Sequence, residues 1–174
     1  MLMDYFELIN TRESVRDYDT NKKIEKEILL KIADAGRLAP SAANRQPWKF
    51  IIISSDHMLQ QVRECYPKNW FKNAPHILVV VGDSSLSWVR TTDDYNSIET
   101  DVTIAMDHMI LAAEAVKVAT CWIAAFDNKV LREVLQLADN EVVYSITPLG
   151  YPNSGYQKKI EKIRKPLDEV VEFL

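Results

Sequence analysis

Glycine is scarce: four residues in 174, about 2% against a usual 7% or so. The four stand at Gly36, Gly82, Gly150 and Gly155, and no two have the spacing of a Walker A loop or a G-x-G-x-x-G dinucleotide fingerprint. Any phosphate bound here is therefore expected to be held by side chains. Cysteine and histidine are nearly as rare. Cys65, Cys121, His57, His76 and His108 show no C-x-x-C, H-x-x-x-H or comparable metal spacing, so no metal site is expected. An excess of positive charge is missing too: 21 Lys and Arg against 25 Asp and Glu leave a net charge of -4, which argues against a nucleic-acid partner. Apolar runs such as residues 77–81 are far too short to cross a bilayer, and the start of the chain lacks a basic segment followed by an apolar one. The expected setting is the cytoplasm, with no membrane partner.

What is present alternates. Tyr5, Phe6, Leu8 and Ile9 suggest a short first helix, and Ile24, Ile28, Ile32 and Ala35 a second that Pro40 stops. Residues 39–47 read as an ordered loop, 48–53 as a strand, 59–65 as an amphipathic piece and 77–81 as a strand buried on both faces. Residues 83–97 are polar and loop-like apart from Trp88, Val89 and Tyr95. The longest helix is predicted over 98–118, and its uncharged middle at 109–113 must be covered on most sides. A strand over 120–126, a helix over 128–137 with Asn128 near its cap, and a strand over 142–149 follow. Strands separated by helices predict an α+β sandwich, helices packed on a central sheet, in one domain spanning 1–174. At the end of the chain, Val170, Val171, Phe173 and Leu174 could pair with a neighbouring sheet or chain.

Three constellations could carry chemistry. Arg12, Ser14 and Arg16 stand at i, i+2, i+4, so in extended backbone they leave on one side and can fork an anion. The alternative is a solvated basic turn paired with Glu13 and Asp17. Lys162 and Arg164 repeat the i, i+2 spacing within the basic run 158–165, which could equally be a solvated face. In the loop Ala39-Pro40-Ser41-Ala42-Ala43-Asn44-Arg45-Gln46-Pro47-Trp48, two prolines restrict the backbone. Asn44 and Gln46 either meet the mixed donor and acceptor edge of a heteroaromatic ring or simply form turns.

These segments carry a resemblance. In order along the chain stand R-x-S-x-R at 12–16, A-P-S-A-x-N-x-Q-P-W at 39–48, an alanine-rich helix leading into Thr120-Cys121-Trp122-Ile123-Ala124-Ala125-Phe126-Asp127, then Pro148-Leu149-Gly150-Tyr151-Pro152, and K-x-R-K-P-L at 162–167. The sequence resembles the FMN-dependent nitroreductase family over essentially its whole length. The resemblance implies a mostly antiparallel sheet flanked by helices, and a homodimer with the long helix at the interface and C-terminal segments embracing the other subunit. Arg12, Ser14, Arg16, Lys162 and Arg164 would hold the FMN phosphate and ribityl chain. Pro40, Ser41, Ala42 and Asn44, with Gln46 a weaker candidate, would reach the same flavin from the partner. Ala124 and Ala125 would present backbone amides to the N5 and O4 side of the ring.

The implied activity is hydride transfer from NADH or NADPH through flavin N5 to a nitroaromatic, quinone or similar electron-poor acceptor, in ping-pong order. It needs no protein nucleophile, acid, base or metal. The alternatives are a specialised flavin reaction, such as reductive dehalogenation or flavin fragmentation, and a flavin-binding storage protein without turnover. Two departures from the family pattern stand out. Lys117-Val118-Ala119 replaces Gly-Leu-Gly, and Ala124-Ala125 replaces a pair ending in glycine, so added methyls at Ala119, Ala124 and Ala125 are expected to crowd the ring. Residues 83–97 would form the whole lid, with Trp88 and Tyr95 either facing the pocket or packing as surface aromatics. Cys121 is expected to be a small buried hydrophobe, His76 a strand-start residue and His108 a helix residue.

Overall fold

The computed structural model describes residues 4–158 and 161–174. Its frame is a four-stranded, fully antiparallel sheet in the order β1-β2-β4-β3, with β1 at Trp48–Ile53, β2 at His76–Asp83, β3 at Ala119–Thr120 and β4 at Glu141–Gly150. β2 is central, and its side chains divide by parity, as a period of two requires. Ile77, Val79 and Val81 enter one apolar cluster, and Leu78 and Val80 enter the other. The unbroken apolar run at 77–81 thus follows from burial on both faces, as the sequence predicts.

On one face lie α3 (Asp56–Val62), the single turn α4 (Asn69–Lys72) and α6 (Asn128–Leu135), contributing Leu59, Val62, Phe71 and Leu131. On the other lie α2 (Lys26–Arg37) and α5 (Ile98–Ala115), contributing Leu29, Ile32, Val102, Met106, Met109 and Ile110. The helices cover both faces of the sheet, the expected α+β sandwich. α5 approaches closely because glycine stands at two contacts. A Cβ on Gly36 would lie 2.7 Å from Met109 Cγ, and one on Gly82 would lie 2.6 Å from Ile98 Cδ1. His76 opens β2, as expected, accepting from Ile24 N–H at Nε2 (3.1 Å) while Nδ1 meets Ser54 Oγ at 2.7 Å.

Three predicted elements differ. The strand expected over 120–126 is only Ala119–Thr120, with one further bridge at Ile123 to Ile146, because the chain leaves the edge of β4 after two residues. α5 ends at Ala115 rather than Val118. Its end is a Schellman turn, in which Val118 N–H donates to Ala113 O (2.8 Å) and Lys117 N–H to Glu114 O (2.9 Å), with Lys117 at φ 62°. α6 ends at Leu135 rather than Leu137; Asn128 is its first residue, next to the cap Asp127, whose carboxylate accepts from Lys129 and Val130 N–H. The opening helix, α1 (Tyr5–Thr11), buries none of its residues.

Candidate functional site

The segment after α1 is fixed to the outer edge of β3. Ser14 bridges Thr120 in parallel, and Val15 N–H donates to Thr120 O at 2.9 Å. This extended pairing carries Arg12 and Ser14 to a cavity of about 330 Å³ that they line together with Lys162 and Arg164, and with the carboxylates of Glu13 and Glu161. Four of the five residues expected to hold a phosphate therefore meet in one place. The fifth, Arg16, does not line that cavity; its guanidinium lies over the Trp70 ring, 5.7 Å from the centroid. Lys159, part of the basic run, lies outside the described residues.

The C-terminal arm is tied to the body by its lysines. Lys158 pairs with the buried Glu114 near the end of α5, and Lys162 Nζ donates to Ile9 O at 2.6 Å. Lys162 loses basicity, chiefly through desolvation and then through the neighbouring cations Arg12 and Arg164. The three cations outnumber the two lining carboxylates, Glu13 and Glu161, a balance that favours an added anion. Glu13 and Asp17 each have a neutral donor: Tyr156 O–H reaches Glu13 at 2.7 Å and Asn153 reaches Asp17 at 2.5 Å.

Ala124 and Ala125 lie exposed beyond β3. Among the described residues neither N–H donates to a protein acceptor, so both amides are available to a ligand. Neither alanine adopts a positive φ. Ala119 is buried and packs with Val15, Tyr18 and Ala74, so its methyl belongs to this small cluster. Cys121 is buried as expected, and burial raises its thiol pKa.

Residues 39–47 lie at the opposite end of α5. Ala43, Asn44 and Gln46 all adopt left-handed backbone, at φ 50°, 54° and 50°, a conformation most side chains avoid. Local bonds hold it: Gln46 N–H donates to Ser41 Oγ (2.9 Å) and Gln46 Nε2 to Asn44 Oδ1 (3.1 Å). The two amides therefore serve the turn within this chain, leaving Pro40, Ser41 and Ala42 to line a cleft of about 200 Å³ with Trp88, Tyr95 and the first turns of α5.

The sequence predicts residues 83–97 as a loop; the structure shows a pinned hairpin. Val89 bridges Asn96, Arg90 N–H donates to Tyr95 O (2.9 Å), and Arg90 pairs with Asp93 while lying 4.8 Å from the Tyr95 ring centroid. Tyr95 O–H also bonds Thr100 Oγ1. Trp88 and Tyr95 thus face the cleft beside Pro40, Ser41 and Ala42. Sequence reasoning missed Asp101, a buried carboxylate on α5 that accepts from Ala42 N–H at 2.9 Å. An aspartate in a helical first turn carries no signal of such a long-range contact.

Known proteins share this fold. The Nitroreductase family model matches residues 9–68 and 56–151. A nitroreductase family protein from Clostridium difficile 630 is 33% identical, with a TM-score of 0.90 over 98% of both chains. An FMN-dependent nitroreductase from Clostridium difficile R20291 is 27% identical, with a TM-score of 0.80 over 95% of this chain and 96% of that one. A protein of Archaeoglobus fulgidus whose name assigns it to the NADH dehydrogenase/NAD(P)H nitroreductases is 34% identical over 83% of each chain. Among the described residues no helix is long and apolar enough to cross a membrane, and no cluster of His, Cys, Asp and Glu could hold a metal ion.

Proposed function

Because the chain belongs to the nitroreductase family, we propose that it is an FMN-dependent oxidoreductase. It passes electrons from NADH or NADPH to an electron-poor acceptor of the nitroaromatic or quinone type. The observation that carries this reading is the cavity where Arg12, Ser14, Lys162 and Arg164 meet, whose three cationic donors and one hydroxyl suit the acceptor oxygens of a phosphate monoester. The depressed basicity of Lys162 fits as well, since an anion relieves the repulsion among its neighbours.

Bound FMN supplies a two-electron carrier that takes hydride from the nicotinamide and yields electrons to the acceptor. The chain's own residues hold and shield it. Arg12, Lys162 and Arg164 neutralise the phosphate, Ser14 adds a hydroxyl, and Arg16 stands nearby as a further cation toward the ribityl chain. The N–H groups of Ala124 and Ala125 would donate to the N5 and O4 edge of the ring. Trp88 and Tyr95 border the substrate side, where donor and acceptor bind in turn, a ping-pong order.

The site is composite. Asp101, which anchors the 39–47 loop, and Glu114, which anchors the arm, are thirteen residues apart on α5, roughly 20 Å at 1.5 Å per residue. Each flavin then lies on the cations of one chain and under Pro40, Ser41 and Ala42 of a second copy, with Asn44 shaping the turn that presents them. The side of α5 that could face this copy carries half-buried Ile104, His108, Leu111 and Ala112 at helical spacing. The chain acts as one FMN-binding domain within that homodimer.

The test is a visible spectrum of the purified protein, after incubation with FMN, followed by anaerobic titration with NADH and NADPH. A bound-flavin spectrum bleached within the mixing time by either nucleotide is expected. Protein that binds no FMN overturns the reading, and flavin that binds but resists both nucleotides favours storage without turnover.

A further inference from the structure

Asp101 is 2% exposed, in the first turn of α5. Its two oxygens face different segments: Oδ1 accepts from Ala42 N–H at 2.9 Å, and Oδ2 accepts from Ser97 Oγ at 2.8 Å. No salt bridge to a Lys, Arg or His is formed by this carboxylate among the described residues. A buried carboxylate without a cation is costly unless both oxygens are hydrogen-bonded, and these bonds satisfy them.

We infer that Asp101 is the positioning residue that locks the flavin-facing loop 39–47 to the end of the 83–97 hairpin. Ala42 stands at the start of the turn containing the three left-handed residues. Ser97 is where the hairpin enters α5. One carboxylate therefore sets both the loop that meets a partner's flavin and the segment that carries Trp88 and Tyr95 to the same cleft. Strained, non-glycine backbone persists only where its surroundings over-determine it. Two tertiary hydrogen bonds hold the loop, Asp83 N–H to Pro47 O at 2.8 Å behind the turn and Ala42 N–H to Asp101, and among the described residues the second is the one that reaches residues 42–46 from outside the loop. The role in flavin binding rests on the composite site proposed above; the locking of the loop does not.

The chemistry predicts an order among variants. Asp101→Asn keeps both bonds, with its Oδ1 accepting from Ala42 and its amide donating to the Ser97 hydroxyl. Asp101→Ala leaves both partners unpaired, and Ser97→Ala cuts only the tie to the hairpin. Two readouts are taken on the full-length protein. Amide hydrogen exchange without FMN is expected to quicken at residues 42–46 at least tenfold in Asp101→Ala, to stay within threefold in Asp101→Asn, and to change little at 42–46 in Ser97→Ala. FMN affinity is expected to fall about tenfold or more in Asp101→Ala and to be restored within threefold in Asp101→Asn. Unchanged exchange in Asp101→Ala, or equal acceleration in Asn and Ala, overturns the inference. If the unsubstituted protein binds no FMN, the functional reading fails and the exchange result alone decides for or against the locking role.

Discussion

Lys117 ends α5 at the position of a Schellman turn that glycine usually fills, with φ at 62°. Among the described residues it is one of six non-glycine residues at positive φ, while no glycine adopts one. The scarce glycines serve close approach instead. Lys117→Gly is therefore expected to raise stability by about 0.5–1 kcal/mol, read as a higher midpoint in urea. Gly82→Ala is expected to lower it by about 1–3 kcal/mol, since the new methyl would meet Ile98 and Val102. The scarcity of glycine predicts that any phosphate is held by side chains, and the structure brings four of the five named side chains, Arg12, Ser14, Lys162 and Arg164, to one cavity. That Arg16 stands over Trp70 was not legible, because i, i+2 spacing places a side chain on a strand face but not where it ends.

At the proposed phosphate site, Lys162 is expected to set a pH dependence. Its pKa is lowered in the free protein by desolvation and by Arg12 and Arg164, and a bound phosphate raises it again. FMN affinity is thus greatest while Lys162 is charged in both states. It declines as pH rises through the lowered pKa of the free protein, which lies below the ordinary lysine value of about 10.4, and binding in that window takes up a proton. Titration calorimetry in buffers of different ionisation enthalpy should show this uptake, and Lys162→Met should abolish it.

Among the elements, β1 was legible with its observed bounds because aromatic and β-branched residues crowd it, and the buried run of β2 was legible because both its faces are covered. β3 was not. Its apolar residues at 121–123 invite a strand, yet after Thr120 the chain leaves the β4 ladder: Cys121 N–H donates to the Thr147 hydroxyl at 3.1 Å and Ile123 alone bridges back to Ile146, contacts that no local pattern announces. The hairpin at 83–97 was hidden likewise, since its polar residues are used as ties: Ser87 O–H donates to Asn96 Oδ1 at 2.7 Å, and Ile98 N–H donates to the same oxygen at 2.9 Å. Trp88→Ala should therefore change the KM for the acceptor more than the affinity for FMN, measured by steady-state kinetics with a fixed nicotinamide. An equal loss in both would place Trp88 against the flavin itself.

The whole molecule exposes apolar surface that a lone chain leaves wet. Phe6 is 68% exposed on α1, and Ile163 and Phe173 on the C-terminal arm are 93% and 95% exposed. In the proposed homodimer, the second copy would cover such surface. Sedimentation should show a dimer, and removal of residues 167–174 should weaken it at least tenfold. The account's central claim, that one flavin is held by the cations of one chain and the loop of another, is tested most directly by mixing two inactive variants. Arg12→Ala/Lys162→Ala has lost the phosphate cavity, and Ala42→Trp has a blocked loop. After subunit exchange, a mixed dimer holds one site with both defects and one with neither. FMN binding and NAD(P)H oxidation should return to about one quarter of the unsubstituted level per chain in an equal mixture. No recovery in demonstrably mixed dimers would place the whole site within a single chain and contradict the account.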